Sequence, residues 1–198
     1  MRRTIAALGY VFLLPACASF QMAGDVQSGR QALLINKPDT ALAYFQKAAQ
    51  TDPNYIFELA LYREGVQTYV GRTLYTLGRY QEARQSLEKA LSIYRDDYLA
   101  HIYLGLTLAR TGDRERGLGE IETGLKGLHD WIEWANASRP YQAFWDPLRQ
   151  IRSEIEKDLN MISGKDIDWP KLIESVEWVG QKMEDEIDRV RRDESVWY

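Results

Sequence analysis

The sequence predicts an all-α protein, a stack of about three helical hairpins closed by further helices at the C-terminus. Gly71, Ala83, Leu87 and Ala90 recur as Gly105, Gly117, Ile121 and Gly124, each displaced by 34 residues. The same internal intervals occur earlier, at Gly29, Ala41, Phe45 and Ala48. A repeat of that length belongs to paired helices stacked into a solenoid, in which each unit is stable only against its neighbours. All six tryptophans, by contrast, lie between Trp131 and Trp197, so the composition changes where the repeat stops.

Around those positions each unit reads as two helices. In the first, Ala41, Phe45 and Ala48 mark a second helix that ends at Thr51-Asp52-Pro53. Asp52 is placed to cap the next helix, with Pro53 in its first turn. The second unit begins 42 residues after the first instead of 34. The excess amounts to ~2.2 helical turns. Ile56, Leu59, Arg63, Val66 and Val70 keep helical spacing across it, which predicts one elongated helix from Pro53 to Leu77. Gly78 suits the left-handed position that stops such a helix.

The partner helix starts near Tyr80 and carries Ala83, Leu87, Ala90, Leu91 and Tyr94. In the third unit Leu99, Ile102, Leu106 and Ala109 form the first helix, and Gly112-Asp113 the turn. Leu118, Ile121, Leu125 and Leu128 form the second. That last helix also holds four glycines. Gly117 and Gly124 fall at tight-contact positions, whereas Gly119 and Gly127 predict fraying or cover by the segment that follows.

These registers resemble the tetratricopeptide repeat over roughly residues 22–131. The family's small residues at the helix-helix contact match Gly29, Gly71 and Gly105, then Ala41, Ala83 and Gly117, then Ala48, Ala90 and Gly124. Its large apolar position matches Phe45, Leu87 and Ile121, and its helix-ending proline matches Pro53. Arg95 and His129 replace that proline in the later units, and the usual Trp near each unit's start is missing. The resemblance implies a concave groove lined by the first helix of each pair, with Arg30, Arg72, Tyr75 and Arg110 facing it as a partner-binding surface. Arginine with tyrosine is a common composition for recognition, and the guanidinium fork suits carboxylates. The alternative fate for these charges is pairing with acids of the C-terminal region, which could itself fill a groove of three units.

Residues 132–198 read as a Trp-rich helical cap over the exposed end of the solenoid. Tyr141 to Trp145 is at most a short helix. Asp146 can cap a helix beginning at Pro147 with the stripe Leu148, Ile151, Ile155, Leu159 and Ile162, stopped by Gly164. A final helix starts near Pro170, with Leu172, Val176, Val179, Met183, Ile187 and Val190 on one face. Asp185 with Arg189, and Asp188 with Arg192, are favourable pairs on the other.

The N-terminus is separate from this architecture. Arg2 and Arg3 precede an apolar run from Ile5 to Leu14, too short for a spanning helix, which needs ~20 residues. It reads as an export signal, residues 1–16. The sole cysteine follows directly, and Leu14-Pro15-Ala16-Cys17 resembles the bacterial lipoprotein box. That resemblance implies lipid on Cys17 as the new N-terminus, a tether over 17–24, and sorting to the periplasmic side of the outer membrane. Cleavage after Ala18, releasing a soluble periplasmic protein, is the alternative. Removing the signal leaves 23 basic and 29 acidic groups. That balance argues against nucleic acid, whose phosphates need clustered Lys and Arg.

Catalytic patterning is absent from the sequence. His101 and His129 have no ligand-spaced partners, so no metal or cofactor is expected, and no nucleophile elbow or P-loop occurs. The expectation is a non-enzymatic adaptor or scaffold for a protein or peptide partner in envelope assembly or export. The alternatives are a permanent structural subunit of a cell-envelope or secretion complex, and, behind it, an envelope enzyme.

Overall fold

A computed structural model describes residues 14–138, 144–164 and 166–195. Most of the expected export signal, part of Tyr141–Trp145, and Trp197 lie outside these described residues. The chain forms three helical hairpins, α1 (Leu14–Leu34) with α2 (Pro38–Thr51), α3 (Val66–Thr76) with α4 (Tyr80–Ile93), and α5 (Tyr98–Arg110) with α6 (Arg114–Ser138). The helices α7 (Gln150–Ile162) and α8 (Trp169–Ser195) follow. None of the described helices is long and apolar enough to cross a membrane.

Each hairpin is closed at the same two places. Where paired helices touch, a glycine lets a large side chain in: a Cβ on Gly29 or Gly71 would fall 2.5 Å from Phe45 or Leu87 respectively. Gly105 meets backbone as well, with its would-be Cβ 2.6 Å from the Gly117 carbonyl oxygen. Each first helix also ends in one motif. Asn36, Gly78 and Gly112 are left-handed, with φ of 54°, 72° and 99°. The amide after each donates to the carbonyl of Ala32, Leu74 or Leu108, at 2.8, 2.9 and 2.9 Å. These are Schellman closures, and Asn36 is the first unit's counterpart of the two glycines.

The elongated helix expected over Pro53–Leu77 does not form. A β-hairpin takes the extra length, β1 (Ile56–Leu59) antiparallel to β2 (Tyr62–Gly65), joined by Ala60 and Leu61 at φ of 45° and 74°. Two consecutive positive φ values are the requirement of a tight hairpin turn. Asp52 does not cap a following helix, because its carboxylate accepts the Asn54 amide and turns the chain instead. Alternation then decides the strands: Tyr62 and Glu64 are buried while Arg63 points out to Glu58. Tyr62 packs on Trp131 and Trp145, and Phe57 meets the Tyr69 ring edge-on. Spacing that looked helical was satisfied by a two-residue period with tertiary partners.

The last hairpin helix does not stop at residue 131 but runs unbroken to Ser138, with Ile132 and Ala135 buried. Gly127 lies against the Tyr98 ring, so the helix before it, not the segment after it, covers that position. Nothing lies within 4 Å of a Cβ at Gly119.

Helix α7 starts three residues later than the expected Pro147. Asp146 and Arg149 adopt left-handed backbone, which leaves Leu148 outside the helix and exposed. Asp146 still caps: its carboxylate accepts the amides of Ile151 at 3.1 Å and Arg152 at 3.0 Å. The expected stripe of α8 is buried throughout, from Leu172 to Val190. Of its two expected ion pairs, Asp188–Arg192 forms at 2.9 Å, whereas Arg189 takes Glu186 and Asp193 and leaves Asp185 to Lys182.

Candidate functional site

The first helices α1, α3 and α5 place Arg30, Arg72, Tyr75 and Arg110 on one side of the stack, and α8 lies along that side. Two carboxylates of α8, one heptad apart, collect all four. Glu184 accepts Arg30 Nε at 2.7 Å and Arg72 Nη2 at 2.6 Å. Glu177 accepts the Tyr75 hydroxyl, and Arg110 Nη2 at 2.9 Å, while Arg110 Nε donates to the Tyr75 hydroxyl oxygen at 3.2 Å. In this arrangement α8 satisfies the charges of these four residues from within the chain, while Arg110 stays 41% exposed and Arg72 borders the open cleft beside α8.

The two nodes differ in depth. Arg30, Arg72, Glu64 and Glu184 are all buried, whereas Arg110 is 41% exposed and Glu177 27%. The deep node is a chain of alternating charge. Arg72 bridges Glu184 and Glu64, the latter at 2.8 Å from β2, and the Tyr62 hydroxyl donates to the second Glu64 oxygen at 2.8 Å. Rings surround it: Arg30 sits 4.8 Å over Phe57, and Arg72 lies 5.2 and 5.7 Å from the Tyr69 and Tyr103 centroids. Burial pushes the Glu64 carboxyl up to about 7, against the opposing pull of Arg72, with Asp97 and Glu184 adding to the rise. Arg72 is held charged by Glu64 and Glu184 even though burial disfavours its ionised form.

Asp97 joins this node to the repeat frame. Its carboxylate caps α5 through the Ala100 amide at 3.1 Å. It also accepts the Gly65 amide at 2.8 Å and the Thr68 hydroxyl at 2.6 Å, fixing the start of α3 beside the start of α5.

Beside α8 the groove leaves a cleft of about 440 Å³, lined by Leu33, Asn36, Arg72, Tyr103, Gln181 and Asp185 among others. That size falls in the range of ligand pockets. Its walls come from the α1–α2 turn, from α3 and α5, and from α8.

Glu184 belongs to the acidic run Glu184–Asp188 visible in the sequence, but Glu64 and Glu177 carried no signal of their own. Glu64 reaches the groove only because the β-hairpin exists. His101 ties α5 to α6, its ring nitrogens 2.6 Å from Glu120 and 3.0 Å from the Arg95 carbonyl. Among the described residues no group of three or more His, Cys, Asp or Glu is placed to hold a metal ion.

The family model for the tetratricopeptide repeat matches residues 59–96, which is β2 with the α3–α4 hairpin and the turn into α5. The other two hairpins share its contact glycines and its Schellman closures. The match supports a tetratricopeptide repeat in the middle hairpin, and the shared closures extend its pattern to the other two. No curated protein matches the chain. Tetratricopeptide stacks commonly mediate binding of protein partners and typically serve as non-catalytic scaffolds.

Proposed function

We propose that this tetratricopeptide protein is an interaction adaptor held by lipid on Cys17 at the periplasmic face of the outer membrane, serving envelope assembly or export. The observation that carries the adaptor reading is the groove and its occupant. Arginines from three successive first helices receive an amphipathic helix through carboxylates spaced one heptad apart, and α8 leaves a formed cleft beside itself. The membrane reading is supported by the charged and apolar leader and by the Leu14-Pro15-Ala16-Cys17 string. A second reading, a permanent structural subunit, is favoured by the complete burial of the apolar stripe of α8, which makes that helix part of the core.

Affinity capture from detergent-solubilised membranes separates the two. An adaptor yields a partner below equal stoichiometry that is lost when the exposed cleft residues Gln181 and Asp185 are both changed to Arg, with the melting temperature unchanged. A permanent subunit yields equal stoichiometry that survives the change. Mass spectrometry of the mature N-terminus tests the anchor: acylated Cys17 supports it, and a chain beginning at Ser19 refutes it.

A further inference from the structure

Seven large apolar side chains stand exposed among the described residues, and four of them gather at one end of the solenoid. Helices α1, α3 and α5 all start at that end, since the hairpins alternate in direction. Phe20, 85% exposed, lies there on the first turns of α1, and the Lys47–Asp25 pair at 2.9 Å sets the middle of α1 beside the end of α2, so that the first turns of α1 project past it. Helix α6 passes the start of α5 where Gly127 meets Tyr98, then continues to Ser138 as an overhang of ~15 Å. Trp134 is on that overhang, 54% exposed. Phe144 and Leu148 flank it: Asn136 bonds both the amide and the carbonyl of Trp145, at 2.8 and 2.9 Å, and Glu133 meets Arg149 at 3.1 Å. Of the other three, Ile35 sits at the opposite end, Tyr44 midway along α2, and Trp178 on the outer side of α8.

The end that gathers these residues is also the end that bears Cys17. Met22 is buried in the core, and it follows Cys17 by five positions. Those five steps reach at most ~18 Å fully extended, and ~8 Å as the helix that α1 forms here. A lipid on Cys17 therefore holds the folded body within ~18 Å of the headgroups, and within ~8 Å while α1 stays helical. Trp and Phe are side chains enriched at the membrane–water interface. On the overhang Glu133 accepts from both Arg149 and Arg152, at 3.1 and 2.8 Å, and Asp130 lies exposed beside His129.

We propose that this end of the solenoid rests against the lipid bilayer, with Phe20, Trp134, Phe144 and Leu148 in the interface, so that the cleft beside α8 faces away from the anchor's attachment point. The proposal rests on lipidation of Cys17. Acylation also blocks the sole native thiol, which permits one nitroxide label at a time on full-length lipidated chains carrying Trp134→Cys, Leu148→Cys or Ile35→Cys. In vesicles of phosphatidylethanolamine and phosphatidylglycerol, labels at 134 and 148 should be shielded several-fold from a water-soluble nickel relaxant and remain open to oxygen. The label at 35 should stay open to nickel. Equal nickel access at 148 and 35 on a chain shown by mass to be acylated overturns the orientation and leaves the anchor standing. Shielding at 148 that persists without vesicles in the Cys17→Ser chain overturns it in favour of contact with a second copy. An unacylated mature chain removes the anchor itself, and the orientation with it.

Discussion

The seams between paired helices and the groove that α8 fills are held together in opposite ways. A seam is dry and local: Gly29 against Phe45, Gly71 against Leu87, Gly105 against Gly117 and Ile121, each pair sixteen residues apart or closer. The groove is ionic and remote, joining Arg30 and Arg72 to an acid 154 and 112 residues away. A seam fails by overpacking, because something must move to admit a methyl group. The groove fails by orphaning, because removing one partner strands a buried charge. The difference teaches where the molecule is tolerant: seams forbid size, the groove forbids loss of charge, and each accepts what the other refuses.

The largest expected effect tests the groove. Changing Glu184 to Ala removes a carboxylate shared by two buried arginines and should cost ~3–5 kcal/mol of stability, read as a fall in the urea midpoint. Glu177→Ala removes the half-exposed node and should cost no more than ~1 kcal/mol. Equal losses from the two would show that burial does not separate them.

That asymmetry also explains what was legible in the sequence. The seams repeat, so one chain displays them three times, and the hairpins, the Schellman turn at Gly78 and the buried stripe of α8 could all be placed from spacing alone. The β-hairpin could not, because Ala60-Leu61 is not a turn pair that announces positive φ. Ile56, Leu59 and Arg63 also fit a helix as well as a strand. What decides there is contact of Tyr62 with Trp131 and Trp145, side chains from 69 and 83 residues later. The groove residues Arg30, Arg72, Tyr75 and Arg110 could be aligned on one face by register. Their partners could not, since an ion pair between distant elements leaves no period.

A pH dependence sharpens the comparison at the other contact of α8. Asp158 on α7 is 1% exposed, and burial raises its carboxyl to about 6, with Glu154 adding to the rise and Ser175 opposing it. A carboxyl whose folded pKa is raised contributes stability that is complete below its unfolded value, near 3.8, and is lost as pH rises through about 6. The protein should therefore lose stability between those pH values at up to ~1.4 kcal/mol per pH unit from this group. Asp158→Asn should flatten that part of the profile and stand above the wild type at pH 8. A slope unchanged by the substitution would assign the dependence elsewhere.

The seam makes a smaller prediction of opposite character. Ala83 is fully buried, and its carbonyl lies 3.3 Å from where a Gly71 Cβ would be. Ala83→Leu should overpack the α3–α4 contact and cost ~1–3 kcal/mol. Arg84, the next residue, makes only an exposed pair with Glu88. Arg84→Ala should change stability by no more than ~0.5 kcal/mol. Like behaviour of the two in a denaturant melt would mean that the helix is rotated from the register described.

The smallest effect lies within α6, where two glycines eight residues apart have different surroundings. Both are interior helix positions, so an alanine at either gains up to ~1 kcal/mol from reduced backbone freedom in the unfolded chain. At Gly119 the methyl group meets open space, and the gain should appear whole, as a rise in melting temperature of a few degrees. At Gly127 the methyl group runs into the Tyr98 ring, whose flexible side chain is able to yield only by giving up its place at the start of α5. Gly127→Ala should therefore return little or nothing, or a net loss. If Tyr98 is then shortened to Ala, the Gly127→Ala gain should reappear, because the obstacle is that ring and not the helix. A double-mutant cycle with no coupling between the two positions would place the cost of Gly127→Ala in the backbone of α6 itself, and the close approach at Tyr98 would have no part in it.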